Sequence, residues 1–277
     1  MPWLPELFSA PVLERVLEDR RREKLVAVPY FAGLLSGENR ALIGSFGGEP
    51  ELHHPVFGRV KGVAAFERFI ARATAWVHDR NITVENVDLV VTPLRSVEEV
   101  VLNIDRDDGK RTQLPLAVVA DRDEQAYLRE LRVYYSTWPL TRGHLVRTPL
   151  LQPDPEIHAF GVAGDYQQAL AAGDLEATVA AFEPDAYLRE PAGTTYVHRG
   201  TGELRSLFTR FFSNGGGIPL EHCTVTDDGH ASALEYNVVA WGRTELPPQA
   251  GIAVYVFGEN GKLTAARIYD DVDPPLT

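Results

Sequence analysis

The chain has 277 residues, of which 44% are hydrophobic, and a formal net charge of −12 at pH 7. This length is enough for two domains of ordinary size, each with its own core. The acidic balance argues against a nucleic-acid partner, because the phosphate backbone requires basic protein surface. No apolar run approaches the roughly 20 residues of a membrane-spanning helix, so no membrane partner is expected either.

The N-terminus and the cysteine content indicate the cellular compartment. The run from Met1 to Glu6 lacks a basic region followed by an apolar stretch, so no secretion signal is predicted. Cys223 is the single cysteine, which excludes an internal disulfide and is typical of a reducing environment. We therefore expect a cytoplasmic protein.

In the first half of the chain, predicted helices come before predicted strands. The helices cover Pro11 to about Leu35 with a kink at Pro29, a short segment ending at Phe46, and Gly62 to about Val77. A period of two then predicts strands over Thr83–Val91, Val97–Ile104, Leu114–Ala120 and Tyr127–Tyr135. The dipeptide Asp108-Gly109 is typical of a hairpin turn.

A segment with four prolines, from Pro139 to Pro155, separates this half from a second one with the same plan. There, helices are predicted over Ile157–Ala172, Leu175–Phe182 and Gly202–Phe212. Strands are predicted over Leu220–Thr226, Ala231–Trp241, Gly251–Phe257 and Lys262–Tyr269. Helices followed by an antiparallel meander indicate an α+β fold. We expect a first domain over residues 1–140, a linker over 141–155 and a second domain over 156–277.

The two halves also repeat individual residues at constant spacing. Tyr30, Phe46 and Pro55 recur 136 residues later as Tyr166, Phe182 and Pro191, and Arg132, Tyr134 and Pro139 recur 135 residues later as Arg267, Tyr269 and Pro274. Solenoid repeats are only about 20–50 residues long, so this period indicates a duplicated domain.

Four runs of the second half resemble one known superfamily: Tyr166 to Ala177, Phe182 to Pro191, His198 to Gly200, and Asn260 to Leu263. They are similar to the nuclear transport factor two-like proteins, above all to ketosteroid isomerase and the SnoaL-like polyketide cyclases. The resemblance covers about residues 155–277 well and about 20–140 more weakly. It implies two cone-shaped, cystatin-like α+β barrels, each with helices packed on a curved antiparallel sheet. Because such sheets commonly pack back to back, it also implies an internal pseudo-dimer, with a further homodimer left open.

The resemblance also implies site residues. Glu190 stands where ketosteroid isomerase has its proton-shuttling carboxylate, and Tyr166 stands where that enzyme has a tyrosine that donates to the enolate. The second donor position falls at or beside Ala253, which has no acidic proton, so steroid isomerisation itself is not expected. In the first half, His54 and Tyr30 occupy the positions of Glu190 and Tyr166, and a histidine there could act as a base without pKa tuning.

Other inward-facing positions follow from strand alternation. Asp270 shares one face of the last strand with Ile268, so it is either a second acid/base group or a residue just past the strand in water. The predicted ligand-binding or core positions are Leu207, Leu234, Tyr236, Val238, Ala253, Tyr255 and Ile268. Three of these positions, Leu234, Tyr236 and Val238, share one face of the strand predicted over Ala231–Trp241. The other face of that strand, with Glu235, Asn237 and Trp241, is suited to an interface.

These residues predict a cofactor-independent acid/base enzyme, an isomerase, cyclase or dehydratase, whose substrate is a hydrophobic polyketide-like or polycyclic carbonyl compound. An epoxide hydrolase or epoxide-opening cyclase is an alternative if Glu190 and Asp270 face one cavity. A non-catalytic binding or interaction protein is the other alternative. The eight histidines lack metal-ligand spacing and no nucleotide-binding motif is present, so neither a metal nor another cofactor is expected.

Overall fold

The computed structural model describes Leu34, residues 39–106 and residues 108–276. Most of the helix predicted from Pro11 to Leu35, together with Tyr30, lies outside these residues. No described helix combines the length and the apolar character that crossing a bilayer would need.

The first half forms one six-stranded sheet with helices on one face. Its elements are α1 (Asn39–Gly44), β1 (Glu51–His54), β2 (Gly58–Lys61), α2 (Val63–Asp79), β3 (Thr83–Val91), β4 (Arg95–Asp105), β5 (Arg111–Arg122) and β6 (Leu128–Tyr134). The strand order is β2-β1-β6-β5-β4-β3, with β1 parallel to β6 and the other neighbours antiparallel. Phe66, Phe69, Ile70 and Val77 form the buried face of α2, at the spacing of an amphipathic helix.

The second half repeats this architecture. A short helix α3 (Trp138–Thr141) precedes α4 (Gly161–Ala172), α5 (Leu175–Ala180), β7 (Phe182–Arg189), β8 (Val197–Arg199), α6 (Gly200–Phe211), β9 (Leu220–Asp227), β10 (Ala231–Trp241), β11 (Thr244–Phe257) and β12 (Leu263–Tyr269). The order β8-β7-β12-β11-β10-β9 matches that of the first sheet, and β7 runs parallel to β12. The predicted α+β class with two tandem domains is confirmed.

α4 ends and α5 begins at residues suited to those positions. Gly173 ends α4 in the left-handed conformation, with φ of 70°. Asp174 then caps α5, because its Oδ1 accepts a hydrogen bond from the backbone N–H of Ala177 at 3.0 Å. This turn leads from α4 into α5, and β7 follows α5.

Each sheet has six strands, whereas the sequence predicted four. Phe182, predicted as the end of a helix, begins β7. The Glu-Pro-Asp sequence that follows it is typical of a turn and obscures the strand. β1, β2 and β8 contain only three or four residues each, too few to produce a recognisable alternation.

The outer faces of the two sheets share one buried apolar cluster. It consists of Val90, Val97, Ala117, Val119, Tyr134, Ala231, Ala233, Ala250, Ile252, Val254, Val256, Ala265 and Tyr269. Two Arg–Glu–Tyr groups accompany it: Arg132, Tyr134 and Glu235 in one, and Arg267, Tyr269 and Glu99 in the other. Nε of Arg132 lies 2.6 Å from Oε1 of Glu235, and Nε of Arg267 lies 2.8 Å from Oε1 of Glu99. The internal pseudo-dimer and the domain boundaries stay predictions.

Glu235 lies at this interface, as expected. Asn237 is buried but contacts Leu151 and Cys223, and the prediction for Trp241 is wrong. The pairing of β10 with β11 is irregular here, because Val238 pairs with Gln249 but Ala240 pairs with Glu245, which leaves two extra residues on β11. Trp241 packs in the core of the second half, where its Nε1 donates to the carbonyl oxygen of Phe211 at 2.8 Å.

Candidate functional site

A cavity of about 350 Å³ opens in the second half, between the inner face of the sheet and the helices. Most of its lining is apolar, with contributions from Leu170, Leu188, Phe211, Ile218, Val238 and Ile268. Its polar side chains include Tyr166, Glu190, Tyr196, Arg210, Tyr236, Tyr255, Asp270, Asp273 and His144. An apolar cavity with a few converging polar groups is the usual form of a small-molecule site.

Asp270 is the enclosed carboxylate of this cavity. It follows directly after β12, and the hydroxyl of Tyr236 donates to its Oδ2 at 2.8 Å. Burial raises the pKa of Asp270 to about 6, although the Tyr236 hydrogen bond works in the opposite direction. Of the two placements considered for Asp270, the structure has the one inside the cavity. A carboxyl group with this pKa is suited to accept a proton near neutral pH.

Three tyrosine hydroxyls accompany the carboxylate. Burial raises the pKa of Tyr166, Tyr236 and Tyr255 above the usual value, so all three stay protonated at neutral pH. The rings of Tyr166 and Tyr255 lie 5.4 Å apart between centroids, and Nε2 of Gln167 donates to the Tyr255 hydroxyl. Neutral hydroxyls in a mostly apolar cavity can donate to an oxygen that becomes negatively charged.

Gly251 makes room for the contact between Tyr236 and Asp270. It pairs with Tyr236 across β10 and β11. A Cβ atom at this position would lie 2.7 Å from Cε2 of Tyr236 and 2.8 Å from Cβ of Asp270. Sequence reasoning missed this role, because the close approach involves residues from three different strands or strand ends.

Glu190 lines the same cavity but is paired with two basic side chains. Its Oε1 lies 2.6 Å from Nε2 of His198 and 2.9 Å from Nη2 of Arg210. The structure thus brings Glu190, Tyr166 and Asp270 to one cavity. It also adds two partners of Glu190 that the sequence did not indicate, since β8 and the end of α6 carry them.

The predicted lining residues divide into two groups. Tyr236, Val238, Tyr255 and Ile268 line the cavity. Leu207, Leu234 and Ala253, in contrast, belong to the packed core, where they are at most 2% exposed. Neighbouring side chains cover these three residues completely, so their part in ligand binding remains only a prediction.

The first half contains a cavity of similar size, about 360 Å³, lined by His54, Tyr135 and mainly apolar residues. Nδ1 of His54 accepts from the backbone N–H groups of Val56 and Phe57, at 3.2 and 3.3 Å. Burial, reinforced by the charge of Arg147, lowers the pKa of His54 to about 3. The histidine is therefore strongly tuned, contrary to expectation, and is a weak base at neutral pH.

One group of potential metal ligands occurs among the described residues. Atoms of Glu51, His53 and Glu130 all lie within 4.8 Å of one another. Arg59 and Lys61, however, already donate to the two oxygens of Glu51, at 2.6 and 2.8 Å. These contacts explain the group as an ion-pair network that lowers the pKa of Glu51 to about 2.

The segment predicted as a linker also reaches the cavity, through His144. Trp138, which precedes that segment and belongs to the predicted first domain, lines the cavity too, and the two rings stack 4.9 Å apart between centroids. The four prolines from Pro139 to Pro155 predicted a linker, and no sequence pattern connected this part of the chain with the site.

One family model matches the chain. Residues 163–266 match the model described as "SnoaL-like domain". These residues include most of α4, all elements from α5 to β11 and most of β12, and thus the strands that carry Tyr236 and Tyr255. No curated protein gives a match.

Several solved structures are similar to part of the chain. An uncharacterised cystatin-fold protein from Novosphingobium aromaticivorans is 20% identical over 39% of this chain and 93% of its own, with a TM-score of 0.33. A putative polyketide cyclase from Sinorhizobium meliloti is 19% identical over 39% and 92%, also with a TM-score of 0.33. The epoxide hydrolase/cyclase-like enzyme SalBIII is 16% identical over 42% and 90%, with a TM-score of 0.34. TM-scores this low decide nothing about function, and the family match states only that residues 163–266 are similar to the SnoaL-like domain.

Proposed function

We propose that the second half catalyses proton transfer on a hydrophobic carbonyl compound, as a cofactor-independent isomerase, cyclase or dehydratase. The hydrogen-bonded pair of Asp270 and Tyr236 inside a mostly apolar cavity is the observation that carries this proposal. The match to the SnoaL-like domain supports a cyclase type of enzyme.

Asp270 is the general base in this proposal. Its carboxylate removes a proton from the carbon next to the carbonyl, the electrons of that C–H bond form a C=C bond, and the carbonyl oxygen becomes an enolate oxygen. A pKa of about 6 leaves the carboxylate ionised at neutral pH and basic enough to take the proton. The Tyr236 hydroxyl holds the carboxylate in position.

Tyr166 and Tyr255 stabilise the enolate oxygen. Their raised pKa values keep the hydroxyls protonated, and a fixed donor in an apolar cavity stabilises developing charge more strongly than water does. Tyr255 thereby replaces the second donor, which is missing at Ala253.

Glu190 has a different role in this proposal from the one that the resemblance implies. Since His198 and Arg210 both contact its Oε1, we assign this group to binding the polar end of the ligand. Proton abstraction belongs to Asp270, which has no cationic side chain within hydrogen-bond distance among the described residues.

Epoxide opening is the second candidate, because Glu190 and Asp270 line the same cavity. In that reaction one carboxylate would activate water and a protonated group would donate to the epoxide oxygen. The two reactions differ in their dependence on Glu190, which is essential for epoxide opening and accessory for enolisation.

The test is hydrogen–deuterium exchange of the α-protons of 2-tetralone in D₂O, followed by NMR with the full chain. We expect Asp270→Asn to lower the enzymatic exchange rate by about 100-fold or more, and Glu190→Gln to lower it by less than tenfold. Asp185→Asn changes an exposed carboxylate of β7 and is the matched control. An exchange rate that does not depend on Asp270 would refute the assignment.

Two further measurements separate the alternatives. Hydrolysis of an aryl epoxide in ¹⁸O-labelled water, lost equally in Glu190→Gln and Asp270→Asn, would favour epoxide opening. Binding of 2-naphthol, a planar enolate mimic, without turnover of ketone or epoxide would favour a binding protein.

A further inference from the structure

The segment between the two halves builds one wall of the cavity. Trp138 comes from α3, and His144 lies six residues further on. Their rings stack with an interplanar angle of 21°, and both line the cavity together with Asp270. The two residues precede the SnoaL-like match of residues 163–266, so this part of the site lies outside the matched domain.

Asp271, the neighbour of Asp270, fixes this segment in place. Oδ1 of Asp271 accepts from the Ser136 hydroxyl at 2.6 Å. Oδ2 accepts from the backbone N–H groups of Thr137 and Leu145 at 3.0 and 2.8 Å, and from the Thr137 hydroxyl at 2.7 Å. The Asp271 side chain is 5% exposed, so these hydrogen bonds are sheltered from water. One buried carboxylate thus joins the end of β12 to both ends of the turn that carries Trp138 and His144.

The same carboxylate orients the imidazole of His144. Nδ1 of His144 lies 3.0 Å from Oδ1 of Asp271, and this contact fixes the ring and favours the proton on Nδ1 in the neutral form. Nε2 lies 3.8 Å from Oδ1 of Asp273, too far for a hydrogen bond. Nε2 is therefore the nitrogen available for proton transfer.

His144 also lies close enough to Asp270 for their charges to interact. Burial raises the pKa of Asp270 to about 6, and a charge on His144 acts in the opposite direction. The carboxylates that face His144 are Asp270 and Asp271 at the end of β12, and Asp273 beyond it. A base inside the cavity and an imidazole in its wall are the two groups that a reaction with two proton transfers needs.

We propose that His144, oriented by Asp271, is a second proton-transfer group of this cavity and protonates the substrate oxygen while Asp270 removes the carbon-bound proton. This proposal rests on the proposed function. The imidazolium Nε2–H bond breaks as the O–H bond of the enol forms, and the proton from carbon goes to the Asp270 carboxylate. The reverse transfers, with Asp270 returning a proton to carbon, restore both groups. The site thus requires the segment that joins the halves.

The experiment uses the 2-tetralone exchange assay with the full chain, measured from pH 5 to 9. His144→Gln keeps a side chain that can donate to Asp271 but removes the imidazole that transfers the proton. We expect it to lower kcat for exchange at least 30-fold, to leave 2-naphthol affinity within threefold, and to abolish the loss of rate at high pH. Asp271→Asn should lower kcat by about tenfold and move that alkaline limb, because Asp271 acts through His144.

Chemical rescue distinguishes proton transfer from a role in packing. In His144→Ala, added imidazole should restore at least a tenth of the wild-type exchange rate, and Trp138→Phe should keep the pH profile of the wild type. Circular dichroism and thermal unfolding check that each variant is folded.

Wild-type rates and pH dependence in a folded His144→Gln, with Asp270→Asn inactive, would overturn the role of His144 alone. Loss of 2-naphthol affinity parallel to the loss of rate, with no rescue by imidazole, would also overturn it. Absence of exchange in the wild type would overturn both this proposal and the proposed function.

Discussion

The two halves contain cavities of nearly equal volume, about 350 and 360 Å³, but differ in the groups that line them. At the end of the last strand, Asp270 in the second half corresponds to Tyr135 in the first, with the 135-residue offset of the repeat. At the position of the rim carboxylate Glu190, the first half has His54. The cavity is therefore a property of the duplicated fold, whereas the acid/base groups belong to individual positions.

Strand pairing extends this comparison to the neighbours of Asp270. Tyr236 pairs with Gly251 in the second half, and Val100 pairs with Leu116 at the matching place in the first. Leucine and valine fill the space in which the tyrosine reaches the carboxylate. Burial of the apolar pair stabilises the first half. In the second half, glycine and tyrosine occupy these positions and form part of the candidate site.

At the interface, in contrast, the two halves make the same kind of contacts. Glu235 accepts hydrogen bonds from Arg132 and Tyr134 of the first half, and Glu99 accepts hydrogen bonds from Arg267 and Tyr269 of the second half. Both glutamates are at most 2% exposed. The duplication kept the groups that join the sheets and changed those that line the cavities.

Replacing either interface glutamate should produce the largest loss of stability. Burial would raise the pKa of Glu235, but Arg132 outweighs it and lowers the pKa to about 2. Glu235→Ala leaves Arg132 buried with fewer partners, which costs about 3–5 kcal/mol when a buried ion pair is broken. We expect a similar loss for Glu99→Ala, measured as the free energy of unfolding in urea.

The control for this comparison is an exposed ion pair. Glu176 pairs with Arg205 on the surface, at 2.9 Å for the longer contact, and Glu176→Ala should change stability little. A loss below about 1 kcal/mol in either interface variant would contradict the buried pair as a stabilising contact. A large loss in one variant alone would argue against the symmetric interface that the internal pseudo-dimer requires.

Replacing Asp270 should increase stability, and only above a certain pH. The pKa of Asp270 rises from 3.8 to about 6 on folding, so the native state binds the proton more tightly than the unfolded chain. Below about pH 4 both states are protonated and the carboxyl group has no effect. As the pH rises through 4 to 6, the native state loses stability, by up to about 3 kcal/mol at pH 7.

Asp270→Asn should therefore be more stable than the wild type at pH 7, and the gain should disappear near pH 4. The measurement is urea unfolding at several pH values. The corresponding change in the first half is Tyr135→Phe, which removes no carboxyl group and should give a pH-independent difference over this range. Equal stability of Asp270→Asn and the wild type at pH 7 would show that the carboxylate is not buried at a cost.

The sequence was sufficient to predict the duplicated α+β fold, because Tyr, Phe, Pro and Arg landmarks recur at one offset and helices precede strands in both halves. Strand alternation also placed Tyr236, Tyr255 and Ile268 on the cavity side, since side chains on a regular strand alternate. Trp241 escaped this reasoning, because the pairing of β10 with β11 becomes irregular between Val238 and Ala240, opposite Pro247 and Pro248.

The chemistry of the site was harder to predict. The position of Glu190 resembles a known catalytic position, but its contacts with His198 and Arg210 depend on how α6 and β8 meet. The contact between Asp271 and His144 joins residues 127 positions apart in the chain. No local pattern encodes such contacts, and a segment rich in proline is typical of a passive linker.

The smallest expected effect tests whether the glycine distinguishes the two cavities. In Gly251→Ala the new Cβ would meet Tyr236 and Asp270 below 3 Å, so one of them must move and their hydrogen bond should break. Overpacking of this kind costs about 1–3 kcal/mol. Because the Tyr236 hydrogen bond lowers the pKa of Asp270, its loss should raise that pKa above about 6. Carbon-detected NMR of the Asp270 carboxyl group measures the shift.

Gly202→Ala in α6, where a Cβ has open space, is the matched control and should be neutral or slightly stabilising. An unchanged pKa of Asp270 in Gly251→Ala would mean that Tyr236 contacts the carboxylate without the space that the glycine leaves. In that case, Leu116 at the matching position would not explain why the cavity of the first half is apolar.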